Sequence, residues 1–285
     1  VTPRQDRMRA VYGDTLLTSG AGFVAVRHEA VDIDGDHEPE LAIVFNHDRF
    51  CPTCVILVNR EGRILGQYDH KGHFYDLLTE DVDRDGKEEL LVAGTNNEPC
   101  YQGATVILLD DVCHAGAAQD SLAGGDPAIP DSARARLVLP QFGEPYMTLL
   151  ERRRIEAADL MLVPQESGPP RIAVNVGTAY KDDKVGVIVT LDAALNPVSV
   201  TPSDLIVAIA AAWPDSVRAL NGFPNQEWLE KAWLPRAVRF EAGHWPGSAS
   251  VPAGAPVPAG ESSAAGVSGA SGATAAAPPD PAPTR

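Results

Sequence analysis

Apolar residues along this chain come in short runs of Val, Ile and Leu bounded by Gly, Asn and Asp, a spacing that predicts β-strands. Such runs occupy residues 41–45, 55–58, 90–94, 106–109, 171–177 and 187–191. The pattern changes after Asn196. Thr201, Pro202 and Asp204 put an N-cap residue, a proline at the first helical position and a first-turn acid ahead of the apolar run 205–212, which predicts a helix. Pro214 ends or interrupts it, a short piece runs on to Leu220, Gly222 stands as a C-terminal cap, and Asn225 caps another piece through Trp233. The longest apolar run, residues 205–213, falls short of the roughly 18 residues a membrane span needs, so no transmembrane segment is expected.

The strand runs repeat. Asp-Ile-Asp-Gly-Asp-His-Glu-Pro-Glu-Leu at residues 32–41 aligns with Asp-Val-Asp-Arg-Asp-Gly-Lys-Glu-Glu-Leu at residues 81–90, an offset of 49 residues. The same offset lays residues 23–31 on 72–80, and Cys51 on Cys100. A third copy follows 82 residues after the second, where Arg-Ile-Ala-Val-Asn-Val-Gly at 171–177 matches 89–95 and residues 187–191 supply the next strand. The extra length lies in residues 110–130, whose Gly, Ala and Asp predict an inserted surface loop. In the second unit the predicted strands are 63–68, 73–80, 89–94 and 105–110. Roughly 50 residues and four strands per repeat is the size of a propeller blade.

The acidic runs carry the candidate chemistry. Their form is D-x-D-x-D-[G/H]-x-x-E, in which carboxylates at positions 1, 3 and 5 of a tight loop converge, position 7 offers a carbonyl and an acid at position 9 closes the shell. Hard oxygen donors in that number suit Ca²⁺ better than Mg²⁺, and without a cation they would repel one another. The candidate ligands are Asp32, Asp34, Asp36 and Glu40 in the first loop and Asp81, Asp83, Asp85 and Glu89 in the second, for up to two Ca²⁺ ions. An EF-hand is excluded, because position 12 is Ile43 or Val92 inside a predicted strand where that motif needs a Glu and flanking helices. His37 stands where Gly86 eases the second turn, so the first loop is expected to bind more weakly. The third copy has Val163, Gln165, Ser167 and Arg171 at the ligand positions and is expected to hold no ion.

These two loops, each followed by a strand and a hairpin, resemble the FG-GAP or VCBS repeats of integrin-alpha-like β-propellers, over about residues 20–192. The resemblance implies that the loops bind calcium between strands of a blade, in an extracytoplasmic protein (secreted, periplasmic or surface) used for binding a protein or a glycan. The expected fold class is mainly β: a β-propeller-like array of about three four-stranded blades over residues 1–200, a C-terminal helical cap over 201–245 and a disordered tail over 246–285. Three blades do not readily close a ring, which leaves an open arc capped by the helices or a piece of a longer chain.

Composition supports the tail: 32 of its 40 residues are Ala, Gly, Pro or Ser, with little apolar surface to offset the entropy of ordering. All but one unit of the net charge of −16 belongs to the rest of the chain, which excludes nonspecific binding to nucleic acid and points to cations. The chain begins at Val1 with no initiator Met and no basic-then-apolar signal pattern, so its N-terminus reads as processed, trimmed or incomplete.

Cys51, Cys54, Cys100 and Cys113 allow a local Cys51–Cys54 bond or crosslinks between hairpin loops, with three pairings open. Thioredoxin-type chemistry is disfavoured because Cys51-Pro-Thr-Cys54 falls in a strand-to-strand loop and not at a helix N-terminus, and the gap between Cys100 and Cys113 is wrong for a zinc ribbon. His70 and His73 flank a predicted turn at Lys71-Gly72 and read as solvated. No nucleophile elbow, H-E-x-x-H helix or phosphate loop occurs. The leading expectation is a noncatalytic, calcium-stabilised binding or structural module. The alternatives are a hydrolase or lyase on the same scaffold, with acidic residues from loops near the blade axis as general acid and base, and a regulatory or sensory domain of a larger protein.

Overall fold

A computed structural model describes residues 22–48, 52–97, 102–109, 118–119, 133–142, 155–180, 183–211 and 226–241. The chain is mainly β, in two sheets that are antiparallel apart from one short strand, and neither sheet closes on itself. The strands are β1 (Phe23–Val31), β2 (Glu40–His47), β3 (Pro52–Val58), β4 (Ile64–Glu80), β5 (Glu89–Asn96), β6 (Gly103–Leu109), β7 (Ala118–Gln119), β8 (Ala133–Pro140), β9 (Glu156–Val163), β10 (Arg171–Tyr180), β11 (Asp183–Leu191), β12 (Pro197–Pro202) and β13 (Val238–Glu241). One sheet runs β1-β2-β3-β4-β5-β6-β8-β13 and the other β12-β11-β10-β9.

The larger sheet is two units joined by one strand. Up to Lys71, β4 pairs with β3; from Gly72 onward it pairs with β5. The first unit is therefore β1, β2, β3 and the start of β4, and the second is the rest of β4 with β5, β6 and β8. The second sheet is a third four-stranded unit. The turn expected at Lys71-Gly72 does not exist. Glycine is required there for a different reason: a Cβ on Gly72 would fall 1.7 Å from the Thr95 carbonyl oxygen, so the glycine marks a close backbone approach. His70, in the same stretch, is fully buried instead of solvated, stacked 4.5 Å from Phe74 with Nε2 3.0 Å from the Thr95 carbonyl oxygen.

The 49-residue repeat is visible in the pairing as well as in the letters. The first strand of each of the first two units carries a bulge, at Val26 against β2 and at Tyr75 against β5. The units lie face to face. Ala42, Val44, Val55, Leu57 and Tyr68 of the first unit share a core with Leu90, Val92, Ile107 and Leu109 of the second. The opposite face of the second unit, with Leu91, Ala93, Val106, Leu108 and Leu137, packs on Val174, Val176, Val187 and Val189 of the third. A sheet covered on both faces has no polar side, which is why β5 and β6 are buried at every position while β2 alternates.

Beyond the third unit, β12 extends through Pro202, so the helix α1 (Asp204–Ala211) starts later than expected. Ser203 caps it, accepting the Ile206 N–H on its hydroxyl at 3.3 Å, where the sequence pointed to Thr201. Helical turns at Gln226–Trp228, Leu229–Trp233 and Leu234–Arg236 bury Leu229 and Trp233 against the core of the second and third units. The chain then returns as β13 to pair with β8, a strand the sequence did not signal. Within the 110–130 insertion, Ala118–Gln119 pairs in parallel with Tyr68 and Asp69 of β4. Cys54 lies buried inside β3, opposite Phe45 and Asp69, and not in a connecting loop. Cys51, Cys100, Cys113, Pro214, Leu220, Gly222, Asn225 and the 246–285 tail fall outside the described residues.

Candidate metal centre

Both acidic loops join the first and second strands of their units: residues 32–39 connect β1 to β2, and residues 81–88 connect β4 to β5. The aspartates fold each loop on itself. In the first loop Asp32 accepts the N–H groups of Gly35 and His37 (2.9 and 2.9 Å), Asp34 that of Asp36 (3.1 Å) and Asp36 that of Glu38 (2.7 Å). The second repeats this: Asp81 accepts from Asp85 and Gly86 (3.0 and 3.0 Å), Asp83 from Asp85 (3.1 Å) and Asp85 from Lys87 (2.9 Å).

The backbone conformation repeats too. Positions 4 and 6 are left-handed in both loops, Gly35 and His37 in the first (φ 80° and 66°) and Arg84 and Gly86 in the second (φ 67° and 93°). Each loop thus has one glycine and one strained side-chain residue, placed in opposite order. His37 strains the first loop at position 6, but Arg84 strains the second at position 4, so the backbone does not make the first loop the poorer. The third connection, 164–170, keeps Gly168 at position 6 (φ 83°), while Val163, Gln165, Ser167 and Arg171 stand where the acids were.

Asp32, Asp34 and Asp36 each present an oxygen within 4.8 Å of the others, and so do Asp81, Asp83 and Glu89. Both clusters can hold a metal ion. Glu40 and Asp85 lie outside these groups but beside them. Glu40 and Glu89 occupy the same position and are buried, each with a carboxylate accepting a loop N–H, from Ile33 and from Val82 respectively. Burial is the first cause pushing both carboxyls above their ordinary range, Glu89 to about 7, with Asp34 and Asp36 adding to it at Glu40 and Asp83 and Asp85 at Glu89.

The two sites also differ in what lies beside their carboxylates. Among the described residues, Glu40 Oε2 is buried with no hydrogen-bond partner. In the second loop, Arg134 of β8 brings Nη1 to 2.7 Å from Asp83 Oδ2 and 3.7 Å from Glu89 Oε1. Arg134 was not anticipated. The signal in the sequence was two charges, Arg134 and Arg136, within an otherwise apolar run.

No family model matches the chain, and no curated protein matches it. Among solved structures it is similar to the exotype rhamnogalacturonan lyase YesX, at 12% identity and a TM-score of 0.43 over 63% of this chain and 33% of that one. It is also similar to a Bacillus licheniformis rhamnogalacturonan lyase, at 13% identity and a TM-score of 0.44 over 67% of this chain and 36% of that one. The chain spans about a third of the length of these two proteins. No helix among the described residues is long and apolar enough to cross a membrane.

Proposed function

We propose that the chain is a noncatalytic binding or structural module, with its three units as propeller blades of the FG-GAP or VCBS kind and its two acidic loops as calcium sites. One observation carries the metal part of this reading. Glu40 Oε2 is buried without a partner beside Asp34 and Asp36, and leaving such an oxygen unsatisfied costs about 1–3 kcal/mol, more when it is charged. A divalent cation removes that cost. The donors are all carboxylate and carbonyl oxygens, the set that suits calcium, and Asp32, Asp34, Asp36 and Glu40 would hold one ion while Asp81, Asp83, Asp85 and Glu89 would hold the other.

The support for blades is the repeated order of four antiparallel strands, the bulges 49 residues apart and the face-to-face packing of successive units. The support for a stabilising role is that each loop closes the first hairpin of a unit. The partner would be a protein or a glycan outside the cytoplasm, in keeping with an acidic surface that repels polyanions.

The test is thermal unfolding of the full chain with excess Ca²⁺ and with chelator. Binding at a hundredfold excess over Kd stabilises by about 2.7 kcal/mol per site, and each kcal/mol moves the melting temperature by about 2–4 °C at this size. The expected result is a rise of at least about 5 °C that Mg²⁺ does not reproduce and that Asp34→Ala reduces. Superimposable melts with and without Ca²⁺ would refute the calcium sites.

A further inference from the structure

Arg134 and Leu65 occupy matching places in the two calcium-loop units. Each lies in the bulge where its unit's fourth strand meets the third: Arg134 between Ala133, opposite Leu109, and Ala135, opposite Leu108, and Leu65 between Ile64, opposite Val58, and Gly66, opposite Leu57. Leu65 packs against the core shared by the first and second units. Arg134 instead reaches two of the three clustered carboxylates of the second loop, at 2.7 Å from Asp83 and 3.7 Å from Glu89. Among the described residues, the first loop has no comparable occupant. His37 sits 3.3 Å from Asp32 but its side chain is 90% exposed, and Lys87 lays its aliphatic stem near Gly35 without an ion pair to the loop's acids among the described residues. Glu40, 7% exposed, is left with its unpartnered oxygen.

We infer that Arg134 is a built-in competitor for the cation of the second loop, so that the first loop is the tighter calcium site and the second fills only as the guanidinium withdraws. This rests on the calcium reading above. A guanidinium and a divalent ion both need the Asp83 oxygens, and two cations in contact repel, so binding the ion requires breaking the short Arg134–Asp83 bond. The same contact offsets part of the second loop's negative charge when calcium is absent. The first loop, with leucine in the corresponding place, depends on the ion for that. The order of affinity is the reverse of the one that His37 and Gly86 suggest from sequence.

Calorimetric titration of Ca²⁺ into metal-free full-length protein tests this. The wild type should show a tighter and a weaker event, with Asp34→Ala removing the tighter one. Arg134→Leu, which installs the residue of the first unit, should tighten the weaker event by about ten-fold, equivalent to about 1.4 kcal/mol, and leave the tighter one in place. It should also lower the melting temperature in chelator, where the loop has lost its counter-ion. If that variant does not fold without calcium, Arg134→Gln supplies the same measurement with a side chain that is polar but uncharged. Two events of unchanged affinity in the Arg134 variants would overturn the competitor role and leave the calcium sites standing. No heat of binding in the wild type or the variants would overturn both.

Discussion

Asp32 and Glu88 hold each other by two reciprocal hydrogen bonds across 56 residues of sequence: the Asp32 N–H donates to Glu88 Oε2 at 2.8 Å and the Glu88 N–H donates to the Asp32 carbonyl at 3.0 Å. The first residue of one acidic loop is thereby clamped to the eighth of the next. The equivalent positions in the first and third units are Pro39 and Pro170, which have no N–H to donate, so this joint belongs to the first pair of units alone. Glu88→Ala deletes a charge-assisted bond to a partly buried N–H. It should cost about 1.5–3 kcal/mol by urea unfolding and loosen the loop that carries Asp32. Glu88→Gln, which keeps an acceptor, should recover most of the loss. Equal destabilisation by both variants would show that the charge, and not the clamp, is what matters.

A second joint links the first strands of all three units through Asp76. Its Oδ2 accepts the Leu160 N–H of β9 at 2.7 Å, and its Oδ1 lies 3.6 Å from Arg27 Nε of β1. Arg27 and Asp76 are themselves 49 residues apart, the same repeat position with opposite charge. The two contacts have unequal weight. The Arg27 side chain is 54% exposed, and an ion pair of that kind contributes about 0–1 kcal/mol, whereas the hydrogen bond from a partly buried amide to a carboxylate contributes about 1.5–3 kcal/mol. Arg27→Ala should therefore be nearly silent in urea unfolding, and Asp76→Ala should cost about 2 kcal/mol or more. A larger effect for Arg27 would mean that the surface pair carries the joint.

Some of this was legible in the chain and some was not, for identifiable reasons. Residues 32–41 and 81–90 announce themselves because an acidic loop of this kind is local: spacing alone brings its aspartates to the backbone N–H groups that fold it. The strand runs of β2, β5, β6 and β10 were readable for a similar reason, since Val, Ile and Leu between turn residues need no knowledge of the partner strand. What failed was whatever depends on distant packing. Lys71-Gly72 looks like a turn, and only the approach of Thr95 explains why a glycine is needed in a strand that continues. The end of β12 and the start of α1 were misplaced because the pairing of Pro202 with Val187 outweighs the preference of proline for a helix's first turn. Arg134 reaches Asp83 through the register of β8 on β6, which no local pattern reveals.

The continuity of β4 yields a further expectation. If the strand passes directly from the first unit to the second, Gly72→Ala pushes a methyl group into backbone at the crossing, 1.7 Å from the Thr95 carbonyl oxygen and 2.9 Å from its carbon. The Thr95 backbone has no rotamer to escape into, and the buried His70 ring brings Nε2 to within 2.5 Å of the added methyl, so the cost exceeds the roughly 1–3 kcal/mol typical of an overpacked core side chain. The variant should be recovered unfolded or with a melting temperature lower by at least about 10 °C, while Gly62→Ala, where no atom lies within 4 Å, should show only the milder strain of its positive φ of 80°. A Gly72→Ala protein as stable as the wild type would restore the turn between residues 70 and 73.

The acidity of Glu89 gives the metal-free protein an unusual pH response. In the folded state burial pushes this carboxyl from 4.5 up to about 7, with Asp83 and Asp85 adding to the shift and the Val82 N–H and Arg134 opposing it. The folded state therefore keeps a proton that the unfolded chain has released, and stability present below pH 4.5 is lost as the pH rises through about 7. At 1.36 kcal/mol per pH unit of displacement, the loss is on the order of 3 kcal/mol. Glu40 is displaced in the same direction and adds to it. Bound calcium favours the ionised form and should reverse the trend, because the ion must replace the proton. Melting temperatures in chelator should fall between pH 5 and 7.5, those in excess Ca²⁺ should not, and the calcium increment should widen across that window. Glu89→Gln imitates the protonated carboxyl and should flatten the slope in chelator. If the slope persists in that variant, it arises from the general repulsion of a chain of net charge −16 and not from this carboxylate.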